Sequence, residues 1–164
     1  MSRAGYDTAQ ICKNGHVITN RLEDSPEHSQ SYCSKCGEET ITCCLSCSAK
    51  IRGKYHVPGV AVLSTKQMKA PRFCYQCGNA YPWTERALSA AKELTAELDE
   101  LTEEEKNMLN RSIDELVQEG PQVVVATTRF KKIMKKLGDS SVVGGFRDIL
   151  VDVASEAVKK QLWS

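Results

Sequence analysis

Seven cysteines and one histidine in the first half of the chain stand at spacings that suit metal ions. In order they are Cys12-x3-His16, Cys33-x2-Cys36, Cys44-x2-Cys47 and Cys74-x2-Cys77. Two or three intervening residues let both side chains of a pair curl round the same ion. Two such pairs close a tetrahedral Zn2+ site of thiolate and imidazole ligands. Four pairs make two closed sites, each expected to hold a structural Zn2+, with no coordination position left for water.

Other chemistries of cysteine fit less well. Disulfides would suit a secreted chain, but residues 1–11 (MSRAGYDTAQI) contain no apolar signal segment. Redox dithiols usually come singly on an α/β scaffold. An iron–sulfur cluster more often takes thiolates alone than a set with histidine. Gly15 lies inside the first pair, and Gly37 and Gly78 directly follow the second and fourth. A chain that turns its amides towards sulfur needs backbone conformations that glycine reaches cheaply. The segments between the pairs are short and polar, so a structural metal is expected to supply much of their folding energy.

Which pairs share an ion is open at this level. Sequential pairing joins Cys12, His16, Cys33 and Cys36 at one ion and Cys44, Cys47, Cys74 and Cys77 at the other. This gives two tandem zinc ribbons. Cross-brace pairing would join the first pair to the third and the second to the fourth. The seven-residue gap from Gly37 to Cys43 reads as a connector between two ribbons and favours sequential pairing. Cys43 competes with Cys44, since Cys43-x3-Cys47 also forms a pair. Cys44 is preferred because its spacing repeats that of the other two cysteine pairs. His28 has no partner at knuckle spacing and reads as a solvated loop residue.

The elements that must position these ligands follow from the composition. Residues 1–10 read as a loose terminus. Strands are expected over His16–Thr19, Glu39–Thr42 and Val60–Leu63, with a turn at Val57-Pro58-Gly59. The segment 48–73, inside the second ribbon, carries Lys50, Arg52, Lys54, Lys66, Lys69 and Arg72 without a single acid. Tyr55, His56, Phe73 and Tyr75 lie among or beside these cations, a combination that can grip phosphates and stack bases. The plainer reading is a solvated hairpin whose cations offset the anionic metal–thiolate centre. Residues 1–83 hold 10 basic and 6 acidic side chains, whereas residues 84–164 hold 12 and 15. Seven thiolates outweigh two Zn2+ by three charges, which brings the N-terminal half close to neutral.

After Tyr81-Pro82-Trp83 the cysteines, histidines and tyrosines cease and the apolar pattern becomes helical. Helices are expected from about Thr84 to Leu98, from the Thr102–Glu105 capping box to Gly120-Pro121, and from Pro121 to Gly138. A fourth is expected from about Val142 to Leu162. Each is amphipathic, so a helical bundle or a pair of hairpins is the simplest solution, with self-association as an additional route to burial. Two charge runs, Glu97–Glu105 and Arg129–Lys136, read as solvated faces, with docking between them as the runner-up. No stretch approaches 18 uncharged apolar residues, so no transmembrane segment is expected.

The motifs ICKNGHVI, YCSKCGEETITC, CLSCSAKIRGKYHVPGV, FCYQCGNAYPWTERAL and FRDILVDVASEAVKKQLW together resemble bacterial domain-of-unknown-function family 2321. The resemblance covers nearly the whole chain. It implies a double zinc ribbon followed by a helical region, with the same eight ligands, and implies no catalytic activity. The expected fold is therefore α+β, with tandem ribbons over 1–83 and an all-α domain over 84–164. The expected function is non-enzymatic: a cytoplasmic adaptor or interaction module for a protein partner, built on two structural Zn2+. The alternative is nucleic-acid binding through the basic 50–72 stretch. There is no HExxH, nucleophile elbow, phosphate loop or zinc-deaminase signature.

Overall fold

Tyr6, Thr8 and Gln10 alternate along the first ten residues, and there the chain is a strand rather than the loose terminus its polarity suggests. The computed structural model describes residues 3–63 and 66–164. β1 (Gly5–Thr8) runs directly into β2 (Gln10–Cys12), and β3 (Val17–Thr19) returns antiparallel to β2. β4 (Thr40–Ile41) pairs with the other edge of β2, giving a three-stranded sheet in the order β3-β2-β4. β5 (Arg52–His56) pairs antiparallel with β1. The sequence suggests a strand over 60–63 instead, but none forms there. The partner that makes β5 a strand is β1, 45 residues or so earlier, and local pattern carries no trace of that pairing.

The chain divides into two compact units, Met1–Thr84 and Glu85–Ser164. The core of the first contains Ala9, Ile11, Ile41, Ile51, Tyr81 and Trp83, packed with Cys44 and Cys74. Val17, Ala49, Met68 and Ala70 pack against it. It is small, with Ile11, Ile51 and Tyr81 as its largest fully covered side chains. Each contributes on the order of 1.5–3 kcal/mol by leaving water.

The second unit is helical. α1 spans Pro82–Ala96, so the division between units falls within its first turn. α2 (Glu103–Gln118) opens with the expected capping box: Thr102 Oγ1 accepts from the Glu105 amide at 3.2 Å, and the Thr102 amide donates to Glu105 Oε2 at 2.9 Å. Its stripe of Leu109, Ile113, Leu116 and Val117 is buried, mainly against α3 (Val123–Leu137). The two charge runs meet here, because Lys136 Nζ lies 2.7 Å from Glu105 Oε1.

The expected fourth helix is two helices, α4 (Ser141–Val153) and α5 (Glu156–Trp163). Ala154 is extended, and Ser155 caps α5 by accepting from the Val158 amide at 3.2 Å. The break shifts the helical phase. Ala157, which a continuous stripe would bury, is exposed, and Val158 is buried in its place. Ser155-Glu156 is a helix-start signal, but the apolar stripe running through it conceals it.

Two candidate metal centres

Three of the four ligand pairs are one local structure repeated. The amide of Cys33 donates to the Glu38 carbonyl and that of Gly37 to Cys33, both at 2.8 Å. Cys44 and Ala49, then Ser48 and Cys44, do the same at 2.8 and 2.9 Å; so do Cys74 and Asn79, then Gly78 and Cys74. Each knuckle is closed by a bridge seven residues wide: Tyr32 to Glu39, Cys43 to Lys50, Phe73 to Ala80. The residue after the second cysteine is left-handed every time, with φ of 73° at Gly37, 62° at Ser48 and 77° at Gly78. That turn brings the next amide, of Glu38, Ala49 or Asn79, onto the sulfur of the second cysteine. The first knuckle is different. There Cys12 ends β2, Gly15 turns the chain at φ 89°, and His16 leads into β3.

The knuckles converge in sequential pairs. Ligand atoms of Cys12, His16, Cys33 and Cys36 lie within 4.8 Å of one another, and so do those of Cys44, Cys47, Cys74 and Cys77. His16 Nδ1 is 3.4 Å from Cys12 Sγ and 3.5 Å from Cys33 Sγ, and Cys12 Sγ is 3.8 Å from Cys36 Sγ. In the second group Cys44–Cys77 and Cys47–Cys74 are 3.7 and 3.6 Å apart. A tetrahedral ion with bonds of about 2.3 Å to sulfur and 2.05 Å to nitrogen sets its ligands about 3.75 Å apart for S–S and 3.55 Å for N–S. Both groups match that shape, and they are far outside the roughly 2.05 Å of a disulfide. Tetrahedral sulfur-rich sets suit Zn2+ or iron. In each cysteine pair the first cysteine is buried and the second exposed.

Four thiols so close cannot all lose their protons without a cation among them. Cys74, although burial opposes it, is held down to about 6 by the Cys77 and Gln76 amides and neighbouring sulfurs. Cys47, despite the Ala49 amide, is pushed up to about 12 by desolvation and the other three sulfurs. A dication in the centre removes this competition, which is how such a site couples metal uptake to proton release. Tyr81 lies beside the same group, and burial followed by the charge and hydrogen bond of Cys74 holds its phenol far above the ordinary range. Nothing in the sequence marks Tyr81 for that supporting role beyond its nearness to Cys77.

Cys43 stands at the position held by Tyr32 and Phe73 in the other knuckles, outside the ligand group. His28 is exposed in a short 3-10 turn at Pro26–His28. The ligands are steadied from behind. Gln10 donates to the Gln30 carbonyl at 2.9 Å and accepts from the Gln30 amide at 3.0 Å, fixing the approach to Cys33. Trp83 donates to the Pro71 carbonyl at 2.7 Å, ahead of Cys74. A Cβ on Gly15 would sit 3.0 Å from Trp83 Cβ, so Trp83 also packs on the first knuckle.

Of the cations in the basic stretch, Lys50 pairs with Glu23 at 2.6 Å. The Arg52 guanidinium lies over the Tyr6 and Tyr75 rings, 4.7 and 3.7 Å from their centres. The Lys54 amide bonds the Asn20 carbonyl. Lys66 and Lys69 are exposed, and Arg72 is half-buried with its carbonyl accepting from Tyr81 and Thr84. Tyr6 is the partner that sequence reasoning missed, because the strand that carries it reads as a terminus.

Fold and ligand geometry together define an α+β protein of the tandem zinc-ribbon class, with a helical unit after the ribbons. The chain belongs to the family of uncharacterized proteins conserved in bacteria, domain of unknown function 2321, which it matches over residues 5–162. No curated protein and no solved structure matches it. Among the described residues no helix is long and apolar enough to cross a membrane.

Proposed function

We propose that this protein is a non-enzymatic interaction module whose N-terminal unit is held together by two structural Zn2+. One ion takes Cys12, His16, Cys33 and Cys36; the other takes Cys44, Cys47, Cys74 and Cys77. The observation that carries this reading is the match of both ligand groups to closed tetrahedra. Four protein ligands per ion leave no position for substrate or for an activated water, which is the mark of structural zinc. The N-terminal core is too small to fold 84 residues on apolar burial alone, so the ions supply much of its stability. The ribbons then serve as a rigid surface for a partner, and the helical unit serves packing or self-association. Elemental analysis of protein purified without added metal tests the reading, with close to two equivalents of zinc expected per chain. One equivalent, or iron in place of zinc, overturns it.

The alternative is nucleic-acid binding through Lys50, Arg52, Lys54, Lys66, Lys69 and Arg72. It is supported by the tyrosine rings stacked about Arg52 and weakened by the pairing of Lys50 with Glu23. Binding through phosphates would fall steeply with salt, with a log–log slope of about −0.7 to −0.9 per phosphate neutralised.

A further inference from the structure

After β5, residues 57–63 carry apolar side chains outwards from the N-terminal unit. Val57, Val60, Val62 and Leu63 are 38%, 57%, 47% and 93% exposed. Single exposed apolar residues need no explanation, but four within seven residues at a loop tip do. The excursion is shaped by a turn at Pro58-Gly59, where the Val60 amide donates to the Val57 carbonyl at 3.2 Å and Gly59 has φ 77°. The chain rejoins the core at Met68 and Ala70.

Next to the tip, on the strand that leads into it, is an aromatic layer. Tyr6 and Tyr55 meet edge to face with centres 4.8 Å apart, and both are about half exposed. Arg52 joins them because of a β-bulge. Tyr6 pairs with Tyr55 and Thr8 with Arg52, so two residues of β5 oppose one of β1. Without the extra residue Arg52 would face the opposite side. Gly53 makes the bulge feasible: a Cβ there would lie 2.2 Å from the Asn20 carbonyl oxygen, which accepts from the Lys54 amide at 2.8 Å. The Arg52 guanidinium rests on ring faces, which leaves its N–H edge for an oxyanion. Of the six cations that the segment 48–73 carries, Arg52 is the one in ring contact here, and Lys50 is paired with Glu23 at 2.6 Å.

We propose that the 57–63 tip, with Tyr6, Tyr55 and Arg52 at its base, docks onto the surface of an anionic phospholipid bilayer. This rests on the reading of the N-terminal unit as an interaction module and names its partner. Aliphatic side chains at the tip, amphipathic tyrosines beside them and the Arg52 guanidinium at the base follow the order of acyl chains, interface and phosphates in one leaflet. Single-stranded nucleic acid would use the rings and cations but has no use for Val60, Val62 and Leu63, and Arg52 already covers part of the ring faces. Attachment is peripheral.

Vesicle co-sedimentation of the full, metal-loaded chain tests this, using phosphatidylcholine alone and phosphatidylcholine with roughly one-third phosphatidylglycerol. Binding is expected on the anionic vesicles and at least tenfold weaker on the neutral ones. Val60→Glu with Leu63→Glu should reduce it at least tenfold while leaving zinc content unchanged, since both side chains lie outside the core. Arg52→Ser should reduce it less. No vesicle binding, or binding that the double variant retains, overturns the proposal. So does tight binding of single-stranded RNA that needs Arg52 but not Leu63, or a dimer that the double variant dissolves. Zinc content read on the same samples separates a failure of this proposal from a failure of the metal assignment.

Discussion

Ser48 is the one knuckle position where a residue with a side chain is held in the left-handed region, at φ 62°, in the place taken by Gly37 and Gly78. Left-handed backbone costs an L-residue roughly 1–2 kcal/mol. Glycine escapes that cost but loses about 0.5–1 kcal/mol more entropy on folding. Ser48→Gly should therefore stabilise the second metal site by a net amount of about 0.5–1 kcal/mol. Because folding and metal uptake are coupled in such a unit, the gain appears as a two- to fivefold rise in apparent zinc affinity. Competition against a chromophoric chelator at fixed pH measures it. Gly37→Ala is the converse control: a Cβ there meets nothing within 4 Å, so only conformation is charged, and a loss of about 1 kcal/mol is expected. Gly15→Ala should cost more than Gly37→Ala, since its Cβ would also press on Trp83. If Ser48→Gly leaves affinity unchanged or lowers it while Gly37→Ala is harmless, the left-handed turn is not what these knuckles require.

Two further substitutions follow from the same geometry. Cys43→Ser should leave two equivalents of zinc bound, since Cys43 occupies the bridge position of Tyr32 and Phe73; loss of one equivalent would make it a ligand. In the helical unit, the Lys136 hydrogen bond and then the Thr102 amide hold the Glu105 carboxyl below its ordinary value of 4.5. A depressed carboxyl pKa adds stability above the unfolded value that is lost as pH falls through the folded one. Glu105→Gln should therefore lower the helical melting temperature near pH 7 and have little effect once the pH has fallen below the lowered Glu105 pKa. A difference that persists in acid would point to the shape of the side chain rather than its charge.

The grouping of the eight metal-capable side chains and the first three helices are legible in the sequence because their signals are local. Cysteine pairs at fixed spacing, a capping box at Thr102–Glu105 and glycines at chain turns are all decided within a few residues. What sequence concealed depends on distant partners. β1 and β5 pair only with each other, so by local pattern Gly5–Thr8 reads as a tail and Arg52–His56 carries no strand signal. The short apolar run at 60–63 reads as a strand by composition, yet among the described residues no strand forms there, and Val60, Val62 and Leu63 are exposed. The break at Ala154-Ser155 was hidden for a different reason. A local cap and a continuous apolar stripe disagreed, and burial of Val158 decided for the cap.

The two metal groups are separate in ligation but not in packing. Ile11 and Ile41 come from strands of the first ribbon, while Ile51, Tyr81, Cys44 and Cys74 belong to the second, and all lie in one core cluster. Tyr81 and Trp83 stack at 4.7 Å. Trp83 in turn covers Gly15 between the first two ligands, and its indole N–H reaches the carbonyl of Pro71 just ahead of Cys74. Neither ribbon supplies this cluster alone. If each group holds an ion, as proposed, loss of one ion is expected to loosen the apolar cover of the other group as well. Tandem ribbons joined by a seven-residue connector could have been beads on a string. The placement of Trp83, against Gly15 of the first ribbon and Tyr81 of the second, instead packs them on one core.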